Sequence, residues 1–167
     1  IQRFKGTTFV VKFGGEAMRD RETLERLVED ITLLHLVGIR VVVVHGGGRH
    51  VTELSTELGI ETKFVGGRRV TDDATLDVLK MVLAGKISVE ILSLLKKKGV
   101  RAMGVSGVAA GVIEARRRPP ARVSGGGDEL VDFGQVGDIE RIDARMITLL
   151  LDEGYVPVLS PLGADAD

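Results

Sequence analysis

Apolar residues along this chain recur in two rhythms, one suited to strands and one to helices. Phe9-Val10-Val11-Lys12-Phe13 is a short apolar run interrupted by one lysine, and Gly14-Gly15 follow at once. It reads as a buried strand ending in a tight turn, with a single positive charge at its carboxyl end. Leu24, Leu27, Val28, Ile31 and Leu34 then keep helical spacing between Asp20, a suitable N-cap, and Gly38. Residues 39–44 are too few for a helix and rich in Val, which predicts a central parallel strand. His45-Gly46-Gly47-Gly48 turns that strand into a short helix burying Val51, Leu54 and Leu58, stopped by Gly59. Two glycine turns thus sit at the tips of two consecutive strands. Side by side, they would form one phosphate-sized cradle, because ligands of open parallel sheets gather beyond the carboxyl ends of strands.

The pattern then changes. Residues 62–65 and 68–70 flank Gly66-Gly67 in the layout of a two-residue β-hairpin. Thr71 or Asp72 can cap a long helix carrying Leu76, Leu79, Leu83, Ile87, Ile91, Leu94 and Leu95 up to Gly99, with Gly85 in its interior. An isolated glycine there is expected to mark close packing rather than chemistry. A third sheet strand is predicted over 100–105, and a second hairpin from 112–115 and 130–133. Arg116-Arg117-Arg118, Pro119-Pro120 and glycines 125–127 lie between the two arms of that hairpin. They read as a surface excursion whose basic triplet is solvated charge. Asp143 caps a helix with Met146, Ile147, Leu150 and Leu151, and residues 155–160 form a fourth sheet strand, whose Pro157 suits a strand start or an edge. The series predicts an α/β fold, a three-layer αβα sandwich with a mainly parallel open sheet plus β-hairpins.

Composition narrows the function. With 167 residues and 44% hydrophobic positions, the chain suits one globular unit with a real core. Only 4% of residues are aromatic and the net charge is −1, which argues against nucleic-acid partners, as they need a basic excess and stacking platforms. Cysteine is absent, so disulfides, thiolate chemistry and Cys-ligated zinc are excluded. No apolar run reaches the roughly 18 residues of a membrane span, and a cytoplasmic protein without membrane partners is expected. The chain opens on Ile1 and stops at Asp167 in a loop, which leads us to expect a piece of something longer.

Lys12 is the strongest candidate for chemistry. A lysine in a half-buried strand needs a partner or a purpose; beside glycines its ammonium can meet a transferring phosphoryl group, and otherwise it snorkels to an acid. Gly14, Gly15, Gly47 and Gly48 would let backbone N–H groups approach phosphate oxygens. Their spacing matches neither the P-loop nor the dinucleotide fingerprint. Arg69 could hold a small carboxylate in a bidentate fork, with Arg68 on the opposite face of its strand in solvent; both also suit plain surface charge. His45 braces its loop or acts in catalysis, and His35 and His50 carry no partner pattern or metal-ligand spacing.

Taken together, Val11-Lys12-Phe13-Gly14-Gly15, Val44-His45-Gly46-Gly47-Gly48, Gly67-Arg68-Arg69-Val70-Thr71-Asp72, Met81-Val82-Leu83-Ala84-Gly85-Lys86 and Pro157-Val158-Leu159-Ser160-Pro161-Leu162-Gly163 resemble the N-acetylglutamate kinases of the amino acid kinase superfamily. The opening Ile1-Gln2-Arg3-Phe4-Lys5-Gly6 resembles the arginine-inhibited subclass. The resemblance implies phosphorylation of the side-chain carboxylate of N-acetyl-L-glutamate by ATP with Mg2+, in arginine biosynthesis. It implies that Lys12 stabilises the transferring phosphoryl group, that Gly14, Gly15, Gly47 and Gly48 line the phosphate and substrate site, and that Arg69 binds the substrate α-carboxylate under a hairpin lid. It implies L-arginine as an inhibitor, and homo-oligomers: dimers through the helices around 73–98, and hexamers where an N-terminal helix precedes Ile1. Residues 1–167 would be the amino-acid-substrate lobe, with the nucleotide-binding lobe and its second lysine beyond the chain, so the isolated piece is expected to be inactive. The chain departs from the family's usual residues at Glu16, Arg49 to Thr52, Ser88-Val89 and Val108-Ala109. The competing readings are the arginine-sensing kinase-like domain of an N-acetylglutamate synthase, and another kinase of the superfamily acting on uridylate, aspartate or glutamate.

Overall fold

A computed structural model describes residues 2–18, 20–123 and 129–165. In chain order, β1 (Thr8–Phe13), α1 (Arg21–Leu36), β2 (Arg40–His45) and α2 (Gly48–Glu57) form the opening βαβα series. The hairpin β3 (Lys63–Val65) and β4 (Arg68–Val70) follows, then α3 (Asp73–Lys80), a wide turn over Met81–Ile87 and α4 (Ser88–Lys97). The chain goes on through β5 (Ala102–Ser106), β6 (Ile113–Arg117), β7 (Gly137–Ile142), α5 (Arg145–Asp152) and β8 (Val156–Ser160). A parallel sheet of order β1-β2-β8-β5 lies at the centre. One face packs on the helices from α1 to α4 through Val28, Ile31, Val41, Val43, Val82, Ile91, Leu95 and Val158. The other packs on α5 through Val105, Leu150 and Leu159. The expected three-layer α/β architecture is therefore the observed one.

Two of the three expected caps hold. The third does not: α5 starts after Ala144 with no side-chain cap, and Asp143 instead accepts from the Arg145 amide at 3.1 Å and pairs with the Arg145 guanidinium. The Asp20 carboxylate accepts from the Thr23 amide at 2.8 Å, and Asp72 accepts from that of Thr75 at 2.8 Å. Asp72 titrates below the usual carboxylate range because Thr75 donates to it. Gly66 and Gly67 both take positive φ (55° and 74°), as a tight two-residue hairpin turn requires, which fixes Phe64 opposite Arg69.

Six expectations are corrected, the third together with the reading of the neighbouring arginine triplet. First, β1 is an edge strand rather than a buried one: Val10 is 66% exposed and Lys12 exposed on the same face. Second, of the two places Pro157 suits, the strand start holds and the edge does not: β8 is interior, with Pro157 as its second residue. The missing N–H points toward β2, and the β2–β8 ladder starts only at Val158, so no ladder bond is lost. Third, β6 pairs with 137–142, not 130–133. Both faces of β7 are exposed, so its polar residues mask the alternation. Ala121 and Val131 share only an isolated bridge, and glycines 125–127 lie outside the described residues. Arg116, Arg117 and Arg118 are not merely solvated: they pair with Glu140, Asp132 and Asp138. Fourth, Leu58 is half in solvent at the end of α2. Fifth, a Cβ at Gly85 would meet nothing within 4 Å, so packing does not explain that glycine; it lies in the wide turn, where the helix loosens to π geometry.

Candidate functional site

The two glycine turns do come together. Parallel register puts Phe13 beside His45, and the Gly46 amide donates to the Phe13 carbonyl at 2.9 Å. A Cβ on Gly15 would lie 3.4 Å from the Arg49 amide nitrogen and 3.6 Å from that of Gly48, so the chain after β1 rests against the first turn of α2. Gly14 and Gly48 face open space. The amides at the start of α2 precede the point where intrahelical bonding begins, which leaves donors and a positive helix end at this spot. Gly47 is different: a Cβ there would come within 2.7 Å of side-chain methyls of Leu83 and Ile87. Packing against the wide turn accounts for Gly47 without a ligand.

Lys12 stands two residues before Gly14 on the exposed face of β1, and among the described residues no acid pairs with it. Its premise changes accordingly: it is a solvated, available ammonium at the strand tip, not a desolvated one. His45 is fully buried, with Nδ1 3.3 Å from the Gly46 carbonyl. Burial holds its pKa below the ordinary histidine value, so the imidazole is neutral and braces the turn. Among the described residues, no group of three or more His, Asp or Glu could hold a metal ion.

Arg69 joins the same patch from above. Its Nη2 donates to the Gly48 carbonyl at 2.8 Å and to Thr52 Oγ1 at 2.7 Å, and its guanidinium lies 4.7 Å from the centre of the Phe64 ring. Burial lowers its pKa from the ordinary arginine value. The hairpin therefore folds onto α2, while Arg68 stays exposed as expected. Gly14, Gly15, Gly48 and Arg69 thus lie close together beyond the sheet's carboxyl edge, with Gly47 buried beneath them and Lys12 two residues before Gly14 on β1. Next to it, a cavity of about 410 Å³ opens between α3 and the β6–β7 ribbon, lined among others by Leu83, Ile113, Val136 and Leu162. Leu83 also abuts Gly47, tying chamber to cradle. The sequence reading gives Thr52, Phe64 and the chamber residues no place in the site. For Phe64 the signal exists, because a two-residue turn at Gly66-Gly67 puts it opposite Arg69.

Two glycine turns meeting at the tips of adjacent parallel strands, under a hairpin that carries an arginine, have the layout in which open α/β folds bind ligands. Residues 7–167 match the amino acid kinase family, and the chain belongs to that family. Over 166 residues it is 49% identical to an acetylglutamate kinase of Methanoregula boonei, an alignment covering 99% of this chain and 57% of that one. The chain thus spans little more than half the length of the curated relatives it matches. The N-acetylglutamate synthase of Neisseria gonorrhoeae, solved with coenzyme A and N-acetyl-glutamate, superposes with TM-score 0.75 at 29% identity, over 98% of this chain and 35% of the synthase. The same synthase with coenzyme A and L-arginine gives TM-score 0.69 at 26% identity, over 99% and 38%.

Proposed function

We propose that this chain supplies the acceptor-binding part of a kinase that phosphorylates the side-chain carboxylate of N-acetyl-L-glutamate, with ATP and Mg2+ as co-reactants. The observation that carries the reading is the meeting of Gly15, Gly48 and Arg69 at the start of α2, one strand-tip away from Lys12. Similarity to acetylglutamate kinases over the whole chain supports N-acetyl-L-glutamate among carboxylates.

In this reading Arg69 holds the α-carboxylate, and the acyl group enters the chamber beside Leu83 and Val136. The open glycine amides and the α2 terminus cradle the phosphate that moves between nucleotide and acceptor. Lys12 neutralises charge developing on the transferred phosphoryl group; losing one such group costs about 10²–10³ in rate. ATP supplies that phosphoryl group, and Mg2+ is assigned no protein ligand among the described residues.

Calorimetric titration of N-acetyl-L-glutamate, glutamate, L-arginine and MgATP into the chain and into Arg69→Ala tests the reading. Uptake of N-acetyl-L-glutamate that Arg69→Ala abolishes is expected, whereas uptake insensitive to Arg69→Ala overturns the clamp. Binding of L-arginine alone favours the second reading, an arginine-sensing domain, which the likeness to the arginine-bound synthase motivates.

A further inference from the structure

Arg69 is already occupied. A guanidinium grips a carboxylate through two neighbouring nitrogens, and each such pair of parallel bonds includes Nη2. Here both hydrogens of Nη2 are taken, one by the Gly48 carbonyl at 2.8 Å and one by Thr52 Oγ1 at 2.7 Å. Nη1 is buried and has no hydrogen-bond partner among the described residues. Thr52 is also anchored, since its hydroxyl donates to the same Gly48 carbonyl at 3.0 Å. Arg69, Gly48 and Thr52 therefore close a small ring of hydrogen bonds that fastens the β3–β4 hairpin to α2. That ring spends the atom a bidentate clamp needs and leaves one donor unmet, a costly arrangement that an incoming carboxylate relieves.

We propose that Thr52 is a positioning residue that parks Arg69: its hydroxyl latches the hairpin onto α2 in the ligand-free protein and gives up its bond to Nη2 when a carboxylate takes the fork. This deepens the reading of Arg69 as the acceptor clamp and rests on it. Two consequences separate a yielding latch from a fixed support. Removing the hydroxyl loosens the free hairpin, and it also tightens the acceptor, because the carboxylate no longer competes with an internal partner. A merely structural threonine gives the first effect and the opposite of the second.

The test uses the 167-residue chain as wild type, Thr52→Val and Thr52→Ser. Valine keeps the β-branched shape without the hydroxyl, and serine restores the hydroxyl. Amide hydrogen exchange over residues 63–70 without ligand is expected to quicken about threefold to tenfold in Thr52→Val, the equivalent of one net hydrogen bond, and to return to wild-type rates in Thr52→Ser. Calorimetric affinity for N-acetyl-L-glutamate is expected to rise by a similar factor in Thr52→Val alone. Unchanged hairpin exchange in Thr52→Val overturns the latch, and faster exchange with weaker binding overturns the exchange of partners. If wild type and both variants all ignore N-acetyl-L-glutamate, the acceptor reading and the exchange of partners fall together. The latch itself is then decided by hydrogen exchange alone.

Discussion

Glycine 47 and glycine 48 are adjacent letters with different physical reasons. The first lies under Leu83 and Ile87, where a Cβ would come within 2.7 Å of their methyls; the second opens onto space. Gly47→Ala is therefore expected to lower stability by about 1–3 kcal/mol through overpacking. Gly48→Ala adds a better helix former at the start of α2 and should be neutral or stabilising by up to about 1 kcal/mol. Chemical denaturation of both variants checks the pair; equal losses would mean that Gly48 too is packed. The sequence could not separate these residues, since a glycine needed for a neighbour's methyl and one needed for a ligand look alike. Lys12 and Arg69 could be singled out as candidates by their places at a strand tip and beside a tight turn, although the same places suit a snorkelling lysine and plain surface charge. Thr52 stood out only as a departure from the family's usual residues, since a threonine inside a helix shows no role until the hairpin folds over it.

At the scale of elements, caps and turns were the most legible features, as their chemistry is local: Asp20, Asp72 and Gly66-Gly67 each act within a few residues. What failed depends on distant neighbours. The partner of β6 could not be read, since a ribbon exposed on both faces has no apolar alternation. The wide turn over Met81–Ile87 could not be read either, because the apolar stripe continues through it unbroken. Gly85 lies inside that turn with room for a methyl group. If the turn's geometry belongs to the helix itself, Gly85→Ala should raise the thermal midpoint, gaining up to about 1 kcal/mol from helix propensity. A drop instead would show that π geometry depends on glycine, and with it the fit of Leu83 and Ile87 against Gly47.

For the whole molecule, the question is where the core ends. The sequence located the parallel sheet but read β1 as buried and allowed β8 an edge, whereas β1 is the edge and β8 lies inside, because periodicity cannot tell an inner strand from an edge one. Register makes the difference measurable: Val10 of β1 lies beside Val42 of β2 on the same face of the sheet, yet Val10 is 66% exposed and Val42 5%. Replacing each by isosteric threonine adds a hydroxyl to a dry site in one case and a wet one in the other. Val42→Thr should cost about 1–3 kcal/mol, the penalty for burying a hydroxyl without a partner. Val10→Thr should stay within about 0.5 kcal/mol, as surface changes do. Urea denaturation of the 167-residue chain measures both. Matching costs would mean that the face of β1 bearing Lys12 is covered in solution, so the ammonium assigned to phosphoryl transfer would not be freely accessible from that side. The expected gap leaves Lys12 on an open face, as its proposed part in phosphoryl transfer requires.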